Sequence, residues 1–315
     1  MNIQALGQVA ALGTAFCWAI TSVSFETAGK RVGSLQVNLI RLVVAFAIFT
    51  VYALIVHQRL LPFHAGRHVW VWLSLSGLVG FVFGDLFLFQ AFVDVGARTA
   101  MLIYSSVPPI TALLGRIILQ ERLNIVQIVG MAVTVTGIAI VVTVRKRLPA
   151  PELAIPEYTE PDHEAIRIAR LHRIRGIWFA LLGSLGQALG LVLSRYGAPT
   201  FDPFAATQIR ALAGMLGFAV LFVMLRRWHR VGVALRDRTA MLMIGRGAFF
   251  GPFLGVSLGL FAAQRAGTGI AATLIATVPV ILIPVAIYKK KEIVTAREIT
   301  GAIVAVAGVA ILFLA

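Results

Sequence analysis

Long, uniformly apolar runs dominate this chain. A helix that crosses the hydrocarbon core of a bilayer needs roughly 20 mainly apolar residues. Runs of that length place spans at residues 5–26, 35–56, 69–93, 97–119, 124–144, 176–195, 204–225, 240–263, 268–288 and 298–315. Because apolar and polar residues do not alternate within them, the runs predict helices rather than barrel strands. The predicted fold class is an all-α integral membrane protein with ten transmembrane helices.

The charges lie where a bilayer requires them. Only 13% of the 315 residues are charged, against roughly 25% in soluble domains. The net charge of +15 comes from Lys and Arg in the short gaps between runs, where they meet anionic lipid headgroups. We therefore expect the lipid bilayer as a partner and no nucleic acid. Cys17 is the only cysteine, which excludes an intrachain disulfide or a cysteine metal site, and we expect no metal or cofactor.

A second copy of the pattern follows the first at a constant offset along the chain. This offset pairs Gly80 with Gly251, Gly84 with Gly255 and Pro108 with Pro279. A slightly shorter offset pairs Arg41 with Arg210. Because each copy holds five spans, an odd number, the second copy enters the membrane inverted. Inverted repeats are typical of secondary transporters, whose substrate site lies near the midplane between the repeats.

The repeats give the domain organisation. We predict a first five-helix repeat at 1–144, a charged linker with several prolines at 145–175, and a second five-helix repeat at 176–315. Residues 164–175 of the linker (EAIRIARLHRIR) favour a basic amphipathic helix on the headgroups. Pro108 and Pro279 lie inside predicted spans, where each favours a helix kink. Two interpretations stay open, a structural bend and a bend that shapes a central cavity.

Two segments carry a family resemblance. Residues 91–138 read AFVDVGARTAMLIYSSVPPITALLGRIILQERLNIVQIVGMAVTVTGI, and residues 262–309 read AAQRAGTGIAATLIATVPVILIPVAIYKKKEIVTAREITGAIVAVAGV. Both combine a small-residue-rich helix, a mid-span Pro, a Glu at the following turn and Gly-containing apolar runs. This pattern resembles the EamA family of the drug/metabolite transporter superfamily. The resemblance implies two inverted five-helix repeats and transport of small molecules, often as export.

Ionisable groups inside a membrane are costly, so each one is a candidate for function. Asp85 is the one acid placed well inside a predicted span. It is expected to form a structural bridge with Arg41 or Arg246, or to act as a proton-coupling carboxylate. Arg41 and Arg210 either extend to the headgroups or bind a substrate carboxylate. As equivalents in inverted repeats, they are expected near opposite membrane faces.

Further substrate-binding candidates complete the predicted site. They are Arg246, Trp18, Tyr104, Gln90 and Gln264. For the two aromatic residues, packing in the bundle or in the interface belt is the alternative.

The predicted function is a secondary transporter, not an enzyme. We expect export of amino acids or related carboxylate-bearing metabolites by alternating access, with proton coupling or exchange. A lipid-carrier flippase and a membrane-embedded enzyme on lipid-linked substrates are the alternatives. We expect a multi-pass protein of a bacterial-type inner (plasma) membrane, compatible with a monomer. The basic connections place both termini outside the cytoplasm, whereas the resemblance favours termini inside.

Overall fold

The fold is entirely helical over the residues that the computed structural model describes. These are residues 3–120, 124–143, 163–199, 201–266, 274–290 and 294–314, and they contain no strand. The helices are α1 Ile3–Val32, α2 Ser34–His57, α3 Arg67–Gly77, π1 Leu78–Gly84, α4 Asp85–Tyr104, α5 Val107–Ile118, α6 Ile125–Val142, α7 His163–Gly197, α8 Pro203–Met224, α9 Trp228–Arg236, α10 Arg238–Ala248, π2 Phe249–Gly255, α11 Val256–Ala266, α12 Val278–Lys290 and α13 Ala296–Leu314. The all-α prediction is confirmed.

Six of the described helical segments are long and apolar enough to cross a membrane. They are Gln4–Val32, Ser34–Val56, Arg67–Tyr104, Ile125–Val142, Arg170–Gly197 and Phe204–Met224. Large apolar side chains are exposed on their outer surfaces, for example Ile55 and Val223. Such surfaces belong against lipid rather than water. The chain is therefore a multi-pass membrane protein, while the number of ten spans stays a prediction.

Helix α7 differs from its sequence prediction. It runs without interruption from His163 to Gly197, over 35 residues. The basic segment 164–175 is therefore helical, but it continues into the following span instead of forming a separate surface helix. The reason lies in the chain, because the segment contains no Pro or Gly that would end a helix before Gly176. Residues 145–162 of the predicted linker lie outside the described residues.

The internal repeat reappears in the backbone. Two seven-residue π-helices, π1 and π2, begin at Leu78 and Phe249, which are separated by the same offset as Gly80 and Gly251. That offset also relates the start of α5 at Val107 to the start of α12 at Val278. The repeat thus carries backbone geometry as well as residue identity.

Pro108 and Pro279 lie in the second position of α5 and α12, directly after a turn. The span is therefore already interrupted before each proline. In the first turn of a helix the N–H group has no intrahelical acceptor, so a proline there costs no hydrogen bond. The discontinuity in each half is a turn followed by a new helix rather than a kink at the proline itself.

The first helix of each half packs against the other half. Helix α1 packs on α10, π2 and α11, while α7 packs on α3, π1 and α4. Helix α6 packs on α13, and α2 on α8. Glycines allow the closest approaches, since a Cβ atom at Gly190 would lie 2.9 Å from Gly80 Cα, and one at Gly186 would lie 2.6 Å from Gly84 Cα. The π-helices are held against the first helix of the opposite half, around the centre of the bundle.

Candidate functional site

A cavity lies at the centre of the bundle, between the two halves. Its volume is about 80 Å³. Its walls come from α1, α2, π1, α4, α7, α8, π2 and α11, and include Trp18, Arg41, Asp85, Tyr104, Gln187 and Val256. A water molecule occupies about 30 Å³ and ligand pockets measure about 300–1,000 Å³. The cavity as it stands has room for a few waters, so a metabolite needs the side chains and helices around it to rearrange.

Asp85 is the polar centre of this cavity. It begins α4 directly after π1, and its N–H donates to Gly80 O across the last π turn. The Arg41 Nη2 atom donates to Asp85 Oδ2, and Gln187 Nε2 donates to Asp85 Oδ1 at 2.5 Å. Gln187 Nε2 also donates to Gly80 O at 3.0 Å. Helix α7 is thereby tied both to the carboxylate and to the π-helix backbone.

Arg41 is held on every side. Only 6% of the residue is exposed, its Nε donates to Asn38 Oδ1 at 3.3 Å, and its guanidinium carbon lies 4.6 Å from the centroid of the Phe89 ring. The Asn38 amide in turn donates to the Asp85 backbone carbonyl at 3.1 Å. Arg41 therefore points into the bundle instead of towards the headgroups, and its charge is neutralised by Asp85.

Arg210 forms no such ion pair with any residue that the structure describes. Its guanidinium carbon lies 4.7 Å from the centroid of the Phe81 ring, a cavity wall, and its Nε atom is buried without a hydrogen-bond acceptor. Arg41 approaches the same ring, at 5.8 Å. The expectation that the two arginines lie near opposite membrane faces is wrong for their guanidinium groups, because both long side chains extend inwards to one ring.

The remaining predicted site residues divide into two groups. Trp18 and Tyr104 line the cavity. Gln90 lies elsewhere, where it accepts from Ser34 Oγ at 2.7 Å and donates to Asp94 at 2.9 Å. Arg246 holds α10 to α1, since its Nε donates to Ser24 Oγ at 3.0 Å. The side chain of Gln264 lies outside the described residues.

One end of the bundle, which we call the ion-pair end, carries the connections at residues 33, 96 and 225–237. Ion pairs there join Lys30 to Glu26 (2.7 Å), Arg31 to Asp237 (3.0 Å), Arg98 to Glu298 (3.2 Å) and Arg175 to Asp94 (2.8 Å). Two of these acids, Glu26 and Glu298, are only 2% and 4% exposed. Buried carboxylates are therefore not confined to Asp85, although Glu298 lies in the first turn of its helix and Glu26 lies near the end of α1.

The buried acids were missed because helix ends are hard to place from apolar runs. Helix α1 continues to Val32, beyond the predicted end at residue 26, so Glu26 becomes part of the bundle. Glu26 Oε2 accepts the Ala97 N–H at 2.9 Å, next to Gly96 with its positive φ of 81°. The break at Gly96 leaves the Ala97 N–H without a helical acceptor, and Glu26 accepts it. A glycine just after an apolar run was the one sequence signal for this break.

The opposite end, the vestibule end, carries the connection 58–66 and residues 201–202. A pocket of about 370 Å³ opens there between α2 and α8. Tyr52 and Phe204 stack across it with ring centroids 5.0 Å apart, and Arg59 and His64 line its mouth. Phe49, 1% exposed, lines both this pocket and the central cavity. Its ring is the barrier between them.

Known proteins share both the sequence pattern and the fold. The sequence model of the EamA-like transporter family matches residues 5–143 and 174–314. An uncharacterized membrane protein of Saccharomyces cerevisiae is 26% identical over 173 residues, which cover 53% of this chain and 39% of the yeast protein's own length. One solved crystal structure superimposes with a TM-score of 0.62 at 14% identity, covering 99% of this chain and 97% of that one. That likeness shows a shared fold.

Proposed function

We propose that this chain, which belongs to the EamA-like transporter family, is a secondary transporter that exports small carboxylate-bearing metabolites such as amino acids. The observation that carries the proposal is the central cavity, where the charged side chains of Arg41 and Asp85 from the first half meet Gln187 and Thr207 from the second half inside an apolar bundle. A charged group at that depth costs on the order of 3 kcal/mol or more, and such groups mark substrate and ion pathways. Family membership makes transport, rather than an enzymatic reaction, the activity to test.

The proposed architecture is ten spans in two inverted five-helix repeats, at 1–144 and 176–315. The paired π-helices support it, as does the packing of the first helix of each half, α1 or α7, against the opposite half. Alternating access fits the two ends of the bundle. The vestibule end is open down to Phe49, while ion pairs between helices and the buried Glu26 join the helices at the ion-pair end.

The proposed coupling group is Asp85. In its charged form the carboxylate holds Arg41 of α2 and Gln187 of α7 together. Protonation would remove the charge that binds Arg41 and so loosen α2 from α4. A proton taken up at one membrane face and released at the other would then be exchanged for the substrate. Exchange of one metabolite for another is the alternative mode, with Asp85 kept charged throughout.

We further propose a plasma-membrane location, as in a bacterial inner membrane, with a small-molecule substrate and surrounding lipid as the partners. The basic connections at the ion-pair end suit a leaflet of anionic headgroups. By that charge bias the vestibule faces away from the cytoplasm.

Counterflow in proteoliposomes tests the function. Purified protein would be reconstituted and the liposomes loaded in turn with pools of amino acids, organic acids, nucleobases and cationic drugs. Saturable uptake of a labelled compound from the amino-acid or organic-acid pool is the expected result. Exchange only of cationic drugs would contradict the carboxylate substrate. Absence of exchange from every pool, with protein that remains monodisperse, would favour a flippase or a membrane-embedded enzyme.

A further inference from the structure

We infer that Arg210 is the residue that binds the negative group of the substrate, and that Val256 keeps its site open. The inference rests on the proposed function, whose binding site it specifies. Arg41 and Arg210 are equivalent in the repeats, yet of the two only Arg41 binds a carboxylate within the described part of the chain. This difference between the halves indicates different roles for the two arginines.

The sequence explains why Arg210 lacks an ion-pair partner of its own among the described residues. The offset that relates π1 to π2 also places Asp85 opposite Val256. Asp85 is the first residue of α4, and Val256 is the first residue of α11. Both line the central cavity. The second half thus keeps the arginine but has an apolar side chain in the place of its carboxylate.

Packing differs between the halves in the same way. Helix α2, which carries Arg41, packs against α4, which carries Asp85. Helix α8, which carries Arg210, packs on α3, π1 and α2, but no comparable packing joins it to α11 among the described residues. Over the described residues, the half with an Arg–carboxylate pair is therefore closed along this seam, and the half without one is open along it.

The open seam coincides with the vestibule. The vestibule lies between α2 and α8, and Tyr52 on its wall also contacts Phe253 of π2, with ring centroids 6.5 Å apart. Movement of α8 towards α11 would narrow this space. The Arg41–Asp85 pair acts as a latch between α2 and α4, and the equivalent latch between α8 and α11 lacks its negative member.

A substrate carboxylate at Arg210 would supply the missing member. A guanidinium binds a carboxylate through two parallel hydrogen bonds, and the pair is strongest where water is excluded. Binding would therefore favour the conformation in which α8 lies on α11 and the vestibule is closed. Substrate-driven closure of this kind is a population shift towards the state that binds better.

The surroundings specify the remainder of the ligand. Trp18 and Phe81 line the cavity, as do Thr207 and Ala211 of α8, and the Arg210 guanidinium reaches this wall at the Phe81 ring. These neighbours favour a compact monocarboxylate with an apolar or aromatic remainder. A second negative charge on the ligand would face the Asp85 carboxylate across the cavity and would be disfavoured.

Cysteine labelling tests the missing latch without any transported substrate. Ala205 lines the vestibule, so Ala205→Cys in a Cys17→Ser background reports its accessibility to a bulky maleimide in the full-length protein. Val256→Asp should slow labelling by about tenfold, within the range typical of coupled sites. Arg210→Gln added to that variant should restore the rate. Val256→Asn, matched in size but uncharged, should label as the parent does.

A second arm keeps the test decisive if Val256→Asp does not fold. Benzoate should slow labelling of the Ala205→Cys protein, whereas uncharged benzamide should not, and Arg210→Gln should abolish the benzoate effect. The inference is overturned if folded Val256→Asp labels at the parent rate or no more slowly than Val256→Asn. It is equally overturned if, without a folded variant, benzoate and benzamide act alike. Because labelling needs no flux, these failures are distinct from a failed counterflow assay.

Discussion

Gln187 donates a hydrogen bond of 2.5 Å to the Asp85 carboxylate, which joins the first helix of one half to the third span of the other. The same amide also binds the backbone carbonyl of Gly80, so one side chain supports both the carboxylate and the π-helix. Gln187 therefore fixes the position of α7 in the second half against π1 and α4 in the first half.

Replacement of Gln187 by Leu should destabilise the fold. The change keeps the volume but leaves the Asp85 carboxylate and the Gly80 carbonyl each without one donor. Loss of a hydrogen bond to a buried charged group costs about 1–3 kcal/mol. Thermal unfolding in detergent should show a lower melting temperature. Gln90→Leu, which also removes a hydrogen bond to a buried carboxylate but away from the cavity, gives the size of loss to expect. A melting temperature equal to that of the parent would contradict the prediction for Gln187.

Asp85→Asn should separate coupling from binding. If Asp85 carries the proton, the variant should lose transport driven by a pH gradient by at least about tenfold, as expected when a group essential to proton transfer is removed. Counterflow, which needs no net proton movement, should persist. Asp237→Asn makes the same chemical change outside the cavity and should keep both activities. Loss of counterflow in a well-folded Asp85→Asn protein would identify a structural bridge instead.

The Arg98–Glu298 pair should hold the ion-pair end closed. Removal of one member of a buried pair costs about 3–5 kcal/mol, because the other charge stays buried and loses its oppositely charged neighbour. We expect Arg98→Gln and Glu298→Gln each to lower stability, and the double variant to lower it less than the sum. Unfolding measurements on the three proteins give the coupling energy by a double-mutant cycle. Additive losses would mean that the two residues are not coupled.

Phe49→Ala should open the barrier between the vestibule and the central cavity. The expected effect is a faster uncoupled leak of substrate from loaded proteoliposomes, together with a stability loss of about 3–5 kcal/mol. Phe218→Ala removes an equally buried ring from the core of α8 and controls for that loss. A leak of the same size in both variants would indicate loosened packing rather than an opened barrier.

Asp237 gives a prediction for acid conditions. The Ala240 N–H, which it caps at 2.9 Å, and the Arg31 guanidinium hold the pKa of this carboxyl below its usual 3.8. A lowered pKa means that the stabilisation is present above pH 3.8 and is lost as the pH falls through the lowered value. The melting temperature of Asp237→Ala should lie below that of the parent by a constant amount from pH 8 to about pH 5.

The comparison should then be repeated in more acidic buffer. Below the usual pKa the difference between the two proteins should shrink, because the parent loses the charge that the variant never had. A difference that shrinks already between pH 7 and pH 6 would contradict the assignment to this carboxyl.

The helical class, the approximate spans, the internal repeat and the family all follow from the sequence alone, because each depends on local composition and on spacing along the chain. Asp85 and the two arginines also stood out, since a charge in an apolar run is costly wherever the run folds. The positions of Gln187, Glu26 and Arg98 could not be found in this way. A glutamine in a span or a charge near a helix end has no distinctive local pattern.

Which charges meet is a property of the packed bundle. Arg41 and Arg210 are equivalent in sequence, yet one is neutralised by Asp85 and the other forms no ion pair within the described part of the chain. That difference depends on which helices pack together and on residues far apart in the chain. Hydropathy reports the environment that each residue prefers, whereas a partner is fixed by distances of a few ångströms that only the assembled helices set.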